Sequence, residues 1–105
     1  MLRGNQVNRN TLIEHLSNGT CKIQFRKATD GRFRSLYCTL NSKKIPGKHL
    51  RGVAKTLQGG DDPNLMPVFD MVSGKWKSFY INNVMYMYTE DDLNGNKKKK
   101  NEKKE

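Results

Sequence analysis

Hydrophobic and polar positions follow two rhythms along the chain. Leu12, Ile13 and Leu16 fall at i, i+1 and i+4 within Thr11 to Leu16, which predicts a short helix with Asn10 or Thr11 as its cap and Asn18-Gly19 as its stop. From Thr20 the period drops to two: Cys21, Ile23 and Phe25 alternate with Lys22, Gln24 and Arg26, the mark of a half-buried strand. Asp30-Gly31 supplies a tight turn. The return strand, from about Arg32 to Leu40, puts Leu36, Cys38 and Leu40 on one face and Phe33, Ser35, Tyr37 and Thr39 on the other. Between Asn41 and Asn64 the chain has four Gly, two Pro and five Lys or Arg, with only Ile45, Leu50, Val53 and Leu57 as core anchors. Spacings of three and four from Leu50 to Leu57 allow one or two helical turns in this long connection. Met66 to Val72 then pairs with Lys75 to Ile81 across Ser73-Gly74, and Val84 to Tyr88 forms a last strand after Asn82-Asn83. Pro67 cannot donate to a ladder, so its strand begins there at an edge or bulge. The expected fold is mainly β: a small, strongly bent barrel of about five strands with a short N-terminal helix. Residues 1–10 are expected to be flexible, residues 11–89 to form the barrel domain with its 41–64 connection, and residues 90–105 to be a disordered, charged, Lys-rich tail.

Charge sharpens this picture. The chain of 105 residues carries 20 Lys plus Arg against 10 Asp plus Glu, a formal charge of +10. Residues 1–89 keep 14 basic against 5 acidic side chains, so an excess of +9 belongs to the expected barrel and not to the tail. Two cysteines, Cys21 and Cys38, on the inner faces of neighbouring strands read as reduced core residues. His15 and His49 have no ligand spacing around them, and no metal site or cofactor is expected. No phosphate-binding loop, nucleophile elbow or paired carboxylate at catalytic spacing occurs, so no catalytic residue is named and a binding module is expected over an enzyme. No apolar run reaches the length of a membrane span, and Met1 to Gly19 has no signal-length apolar stretch. A cytoplasmic protein without a membrane partner is expected.

The candidate chemistry is recognition of polyanions. Lys22 and Arg26 share the outer face of the first strand, Arg32 and Arg34 begin its partner beside Tyr37, and Lys75 and Lys77 flank Trp76 on the later hairpin. If those strands adjoin, cations interleave with aromatic rings, the arrangement that neutralises phosphates and stacks bases without sequence preference. Lys43, Lys44, Lys48 and Arg51 lie in a glycine-containing loop suited to phosphate-backbone contact. A solvated charged face is the plainer account of these residues. Trp76 shares its strand face with Ser78 and Tyr80, and either lines a groove or packs over a barrel end. Asp70 is expected to accept N–H bonds across the turn to Gly74, and Asp61-Asp62 before Pro63 to cap a turn. The last strand, if it is an edge, offers Met85, Met87 and its tyrosines to another chain.

Two segments carry a resemblance. Arg34-Ser35-Leu36-Tyr37-Cys38-Thr39-Leu40 resembles an R-x-hydrophobic-x-C-T-L strand, and Val68-Phe69-Asp70 through Gly74-Lys75-Trp76-Lys77-Ser78-Phe79 resembles a V-[WF]-D…G-x-W-[RK]-S-F hairpin. Together, over Cys21 to Met85, they look like the WYL-related, Sm-like or SH3-type small β-barrel proteins of T4-like tailed phages. The resemblance implies a phage accessory or regulatory protein acting in the host cytoplasm, and WYL domains in general are linked to nucleic-acid or nucleotide-ligand sensing. DNA or RNA is therefore the leading partner, and an acidic host or phage protein, docked through the basic face or an edge strand, is the alternative.

Overall fold

A computed structural model describes residues 1–94. Its elements are β1 (Leu2–Arg3), α1 (Arg9–Asn18), β2 (Thr20–Arg26), β3 (Phe33–Thr39), α2 (Arg51–Gln58), β4 (Leu65–Asp70), β5 (Lys75–Tyr80) and β6 (Val84–Tyr88). All strand pairs are antiparallel, in one open sheet of order β1-β6-β2-β3-β4-β5. The sheet is strongly bent. Phe25 on β2 and Phe79 on β5 are separated by two intervening strands, yet their rings stack with centroids 5.6 Å apart.

The alternating strand pattern explains the core. Cys21, Ile23 and Phe25 point inward with Cys38 of β3, Met66 and Val68 of β4, Phe79 of β5, and Val84 and Met87 of β6. Leu12 and Leu16 of α1 close one end of this core and are wholly buried. Each such large apolar side chain contributes roughly 1.5–3 kcal/mol on burial. Asn8, and not Asn10 or Thr11, caps α1: its carboxamide oxygen accepts from the Thr11 amide at 2.8 Å, so the helix starts two residues earlier than the apolar spacing alone indicates. Thr39 ties the helix to the sheet, its hydroxyl donating to the carbonyls of Leu16 and Gly19. Cys21 and Cys38 face one another in register as free, buried thiols. Burial pushes the Cys21 thiol up to about 12 and holds Cys38 well above the usual thiol range, so both act as small apolar side chains.

Three expectations change. Residues 1–10, read as flexible, contain β1, which adds a sixth strand by pairing Leu2 with Met87 and Arg3 with Tyr86. A two-residue strand leaves too short an alternation to be seen in a sequence. That pairing places β6 between β1 and β2, so β6 is not an edge strand. The acidic start of the expected disordered tail is also built into the fold: residues 90–94 are helical, Asp92 accepts from the Thr89 amide at 3.0 Å, and Glu90 lies 2.8 Å from the Lys44 ammonium. Lys97 to Glu105 lie outside the described residues. The 41–64 connection carries α2, two turns of helix laid over β4, which is the longer of the helical options its spacing allowed.

Candidate nucleic-acid interface

The side of the sheet turned away from the core divides into two halves. Over β4 and the start of β5 it is covered, while Ser78 and Tyr80 at the far end of β5 are exposed. The Trp76 indole N–H donates to the His49 carbonyl at 3.0 Å, its ring meets Phe69 edge-on with centroids 5.8 Å apart, and the Thr56 hydroxyl of α2 donates to the Pro67 carbonyl at 3.0 Å. Gly52 of α2 lies flat against the indole; a Cβ there would run into the ring. Arg9 clamps the same element from below, donating to the carbonyls of Thr56 and Leu65. Trp76 is therefore the floor on which α2 rests, half-buried and with part of its ring lining the small groove beside α2.

Over β1, β6, β2 and β3 the same side is open. The register places Arg3 beside Tyr86, Tyr86 beside Gln24, Gln24 beside Ser35, Lys22 between Tyr37 and Tyr88, and Arg26 beside Phe33. Cations and rings alternate here in contact. The Lys22 ammonium lies 5.8 Å from the Tyr37 ring centre and 5.6 Å from that of Tyr88, and the Arg26 guanidinium lies 5.1 Å from Phe33. Tyr86 and Tyr88 are tilted neighbours at 6.5 Å. Phe33 is 59% exposed and Tyr37 41%, while Tyr86 and Tyr88 are half-buried. None of the four strands carries an Asp or Glu.

The structure thus brings together Lys22, Arg26 and Tyr37, and adds Arg3, Phe33, Tyr86 and Tyr88, which the sequence reasoning left out of the site. Period-two alternation could have found Phe33, since it shares the Tyr37 face, whereas Arg3, Tyr86 and Tyr88 depend on long-range pairing of β6 between β1 and β2. The remaining predicted residues are dispersed. Arg34 lies opposite Phe25 on the core-facing side of β3, 3.9 Å from Asp30. Arg32 is exposed in the β2–β3 turn, where its amide donates to Asp30 at 3.0 Å. Lys43 and Lys44 follow β3, Lys44 being paired with Glu90. Lys48 and Arg51 line a small groove with Trp76 at α2, and Lys75 is exposed at the start of β5. Lys77 is bound to Asp70, 3.0 Å away, on the other side of the sheet from Trp76. The single stripe expected from adjoining hairpins does not form, because β3 meets β4 only at Cys38–Asp70 and Thr39–Phe69 and α2 covers what lies beyond.

Asp70 itself is structural. It accepts from the Ser73 hydroxyl at 2.8 Å and the Val72 amide at 3.1 Å, closing the turn as expected. Burial alone would raise its carboxyl, but these bonds and that from Lys77 outweigh burial and hold it below the ordinary carboxylate value. Among the described residues no cluster of His, Cys, Asp or Glu is arranged to hold a metal ion, and no helix is long and apolar enough to cross a membrane.

A six-stranded, strongly bent open sheet with a helix packed over part of its outer side is the geometry of a small β domain of the bent-barrel class. The family model described as WYL_2, Sm-like SH3 beta-barrel fold matches residues 9–85, and the chain belongs to that family. The matched span takes in α1 and β2 to β5, and reaches the first two residues of β6. No curated protein and no solved structure matches the chain.

Proposed function

We propose that the protein is a non-enzymatic module that binds single-stranded DNA or RNA across the open face of β1, β6, β2 and β3. The observation that carries this reading is the alternation of Phe33, Tyr37, Tyr86 and Tyr88 with Arg3, Lys22 and Arg26 on four strands without an Asp or Glu. Rings standing out from a sheet offer faces to unstacked bases, each stacked base contributing about 1–3 kcal/mol, while the cations between them meet the phosphates. Duplex keeps its bases within the stack and makes only the charge contacts. The reading extends to a phage accessory or regulatory protein working in the host cytoplasm, as the resemblance implies. Anisotropy of labelled single-stranded and duplex oligonucleotides of one sequence, titrated at several salt concentrations, tests it. The single strand is expected to bind about tenfold tighter or better, with a log–log salt slope of about 0.7 per neutralised phosphate. Equal affinity for the two forms, or none for either, would overturn the proposal.

A further inference from the structure

The second margin of the sheet has chemistry that the open face does not use. β5 pairs only with β4 among the strands, and the turn Ile81–Asn83 that follows it starts from the Tyr80 carbonyl. The groups facing outward can be identified. Pro67 has no N–H and its carbonyl accepts from Thr56, while the Leu65 amide donates to Asp62 and its carbonyl accepts from Arg9. The Pro67–Ser78 and Leu65–Tyr80 pairs are therefore the non-bonded pairs of the ladder. The amide and carbonyl of Ser78 and the amide of Tyr80 point away from β4, ready for another strand, while the Tyr80 carbonyl is taken by the turn Ile81–Asn83.

Beside that edge a cleft of about 800 Å³ opens between β5 and the β2–β3 hairpin. Phe25, Phe79 and Tyr80 give it an apolar wall, Arg26, Lys27 and Arg34 line its rim, and no lining residue is acidic. Asp30 partly offsets Arg34. Phe25 and Phe79 are buried against each other, so their faces are not offered to bases. We propose that β5 accepts an extended peptide of a partner protein as an added antiparallel strand, with carboxylates meeting Lys27 and Arg34 and a small apolar side chain entering the cleft. A second copy of this chain is a poor occupant. Pairing β5 with its own copy brings the Lys75 and Lys77 side chains of both copies to one seam with no carboxylate on either strand, and the other free margin, β1, is two residues long and carries Arg3. The chain's own segment after residue 94 has the wrong sign, with six Lys against two Glu over 97–105.

The test uses the full chain and a labelled peptide of about ten residues alternating Glu and Val, with the Lys–Val counterpart as control. The Glu peptide is expected to bind at least tenfold tighter than its counterpart, and to slow hydrogen exchange at the Ser78 and Tyr80 amides. Ser78→Pro, which deletes an outward N–H, is expected to weaken binding about tenfold. Lys27→Glu with Arg34→Glu, both at exposed positions, is expected to weaken it similarly with the fold intact by circular dichroism. Single-stranded oligonucleotide affinity should stay within about threefold in these variants, which separates this site from the open face. Equal binding of the two peptides, protection at amides other than those of β5, or displacement of the Glu peptide by an oligonucleotide would each overturn the proposal.

Discussion

The two outer halves of this sheet hold the same kinds of residue and use them in opposite ways. On β4 and β5, Trp76 and Phe69 lie beneath α2, the indole N–H held by the His49 carbonyl and the indole face against Gly52. On β6, β2 and β3, Phe33 and Tyr37 are exposed, Tyr86 and Tyr88 are half-buried, and all four are interleaved with Lys22 and Arg26. What separates the halves is the 41–64 connection, which folds back over one and leaves the other bare. An aromatic residue on a strand face is thus either a support or a contact, and its local sequence does not say which.

The sharpest break of this comparison is predicted at Trp76. Trp76→Ala removes the surface on which α2 rests and should destabilise the fold by about 2–3 kcal/mol in urea unfolding, while the folded fraction keeps its single-strand affinity. Gly52→Ala should act in the same direction, since its new methyl group meets the indole. The converse is predicted on the bare half. Phe33→Ala and Tyr86→Ala should each cost about 1–2 kcal/mol of single-strand binding, roughly tenfold, and leave unfolding within about 0.5 kcal/mol of the parent. Loss of stability without loss of binding at Phe33 would exchange the roles of the halves.

Asp70 tests the covered half through pH. Its carboxyl sits below the ordinary value, so the folded chain binds this proton more weakly than the unfolded chain does. The stabilisation is complete above the unfolded carboxyl's value of about 3.9 and is lost as pH falls through the lower folded value. Asp70→Asn should therefore destabilise by about 1–2 kcal/mol at neutral pH and flatten the acid limb of stability against pH. An unaltered acid limb would show that Asp70 does not hold this turn. The smallest effect concerns charge placement: Lys22→Ala with Arg26→Ala should reduce the single-strand salt slope by about 1.4, whereas Arg34→Ala, on the other side of β3, should leave it unchanged.

Much of the architecture is written in local pattern. Strict alternation in Cys21–Phe25 and the turn residues Gly31 and Gly74, both with positive φ, mark the two hairpins within a residue or two. Leu12 and Leu16 mark α1. The site was half legible: Lys22, Arg26 and Tyr37 share a face because strands alternate, and that rule needs no tertiary information. Arg34 was misplaced because strand parity, applied strictly, sends it to the core side with Leu36 and Cys38. For Trp76 the strand pattern allows either a groove or packing, and the structure puts it under α2, whose position no local pattern encodes. Arg3, Tyr86 and Tyr88 join the site only through contacts between the two ends of the chain.

The central claim, that binding belongs to the bare half, is tested most directly by recording amide shifts of the labelled protein during titration with a short single-stranded oligonucleotide. The account predicts that perturbations concentrate in β1, β6, β2 and β3, largest at Lys22, Phe33, Tyr37 and Tyr86, with α2 and β5 unmoved. Perturbations centred on Lys48, Arg51 and Trp76 would contradict it and move the interface to the covered half.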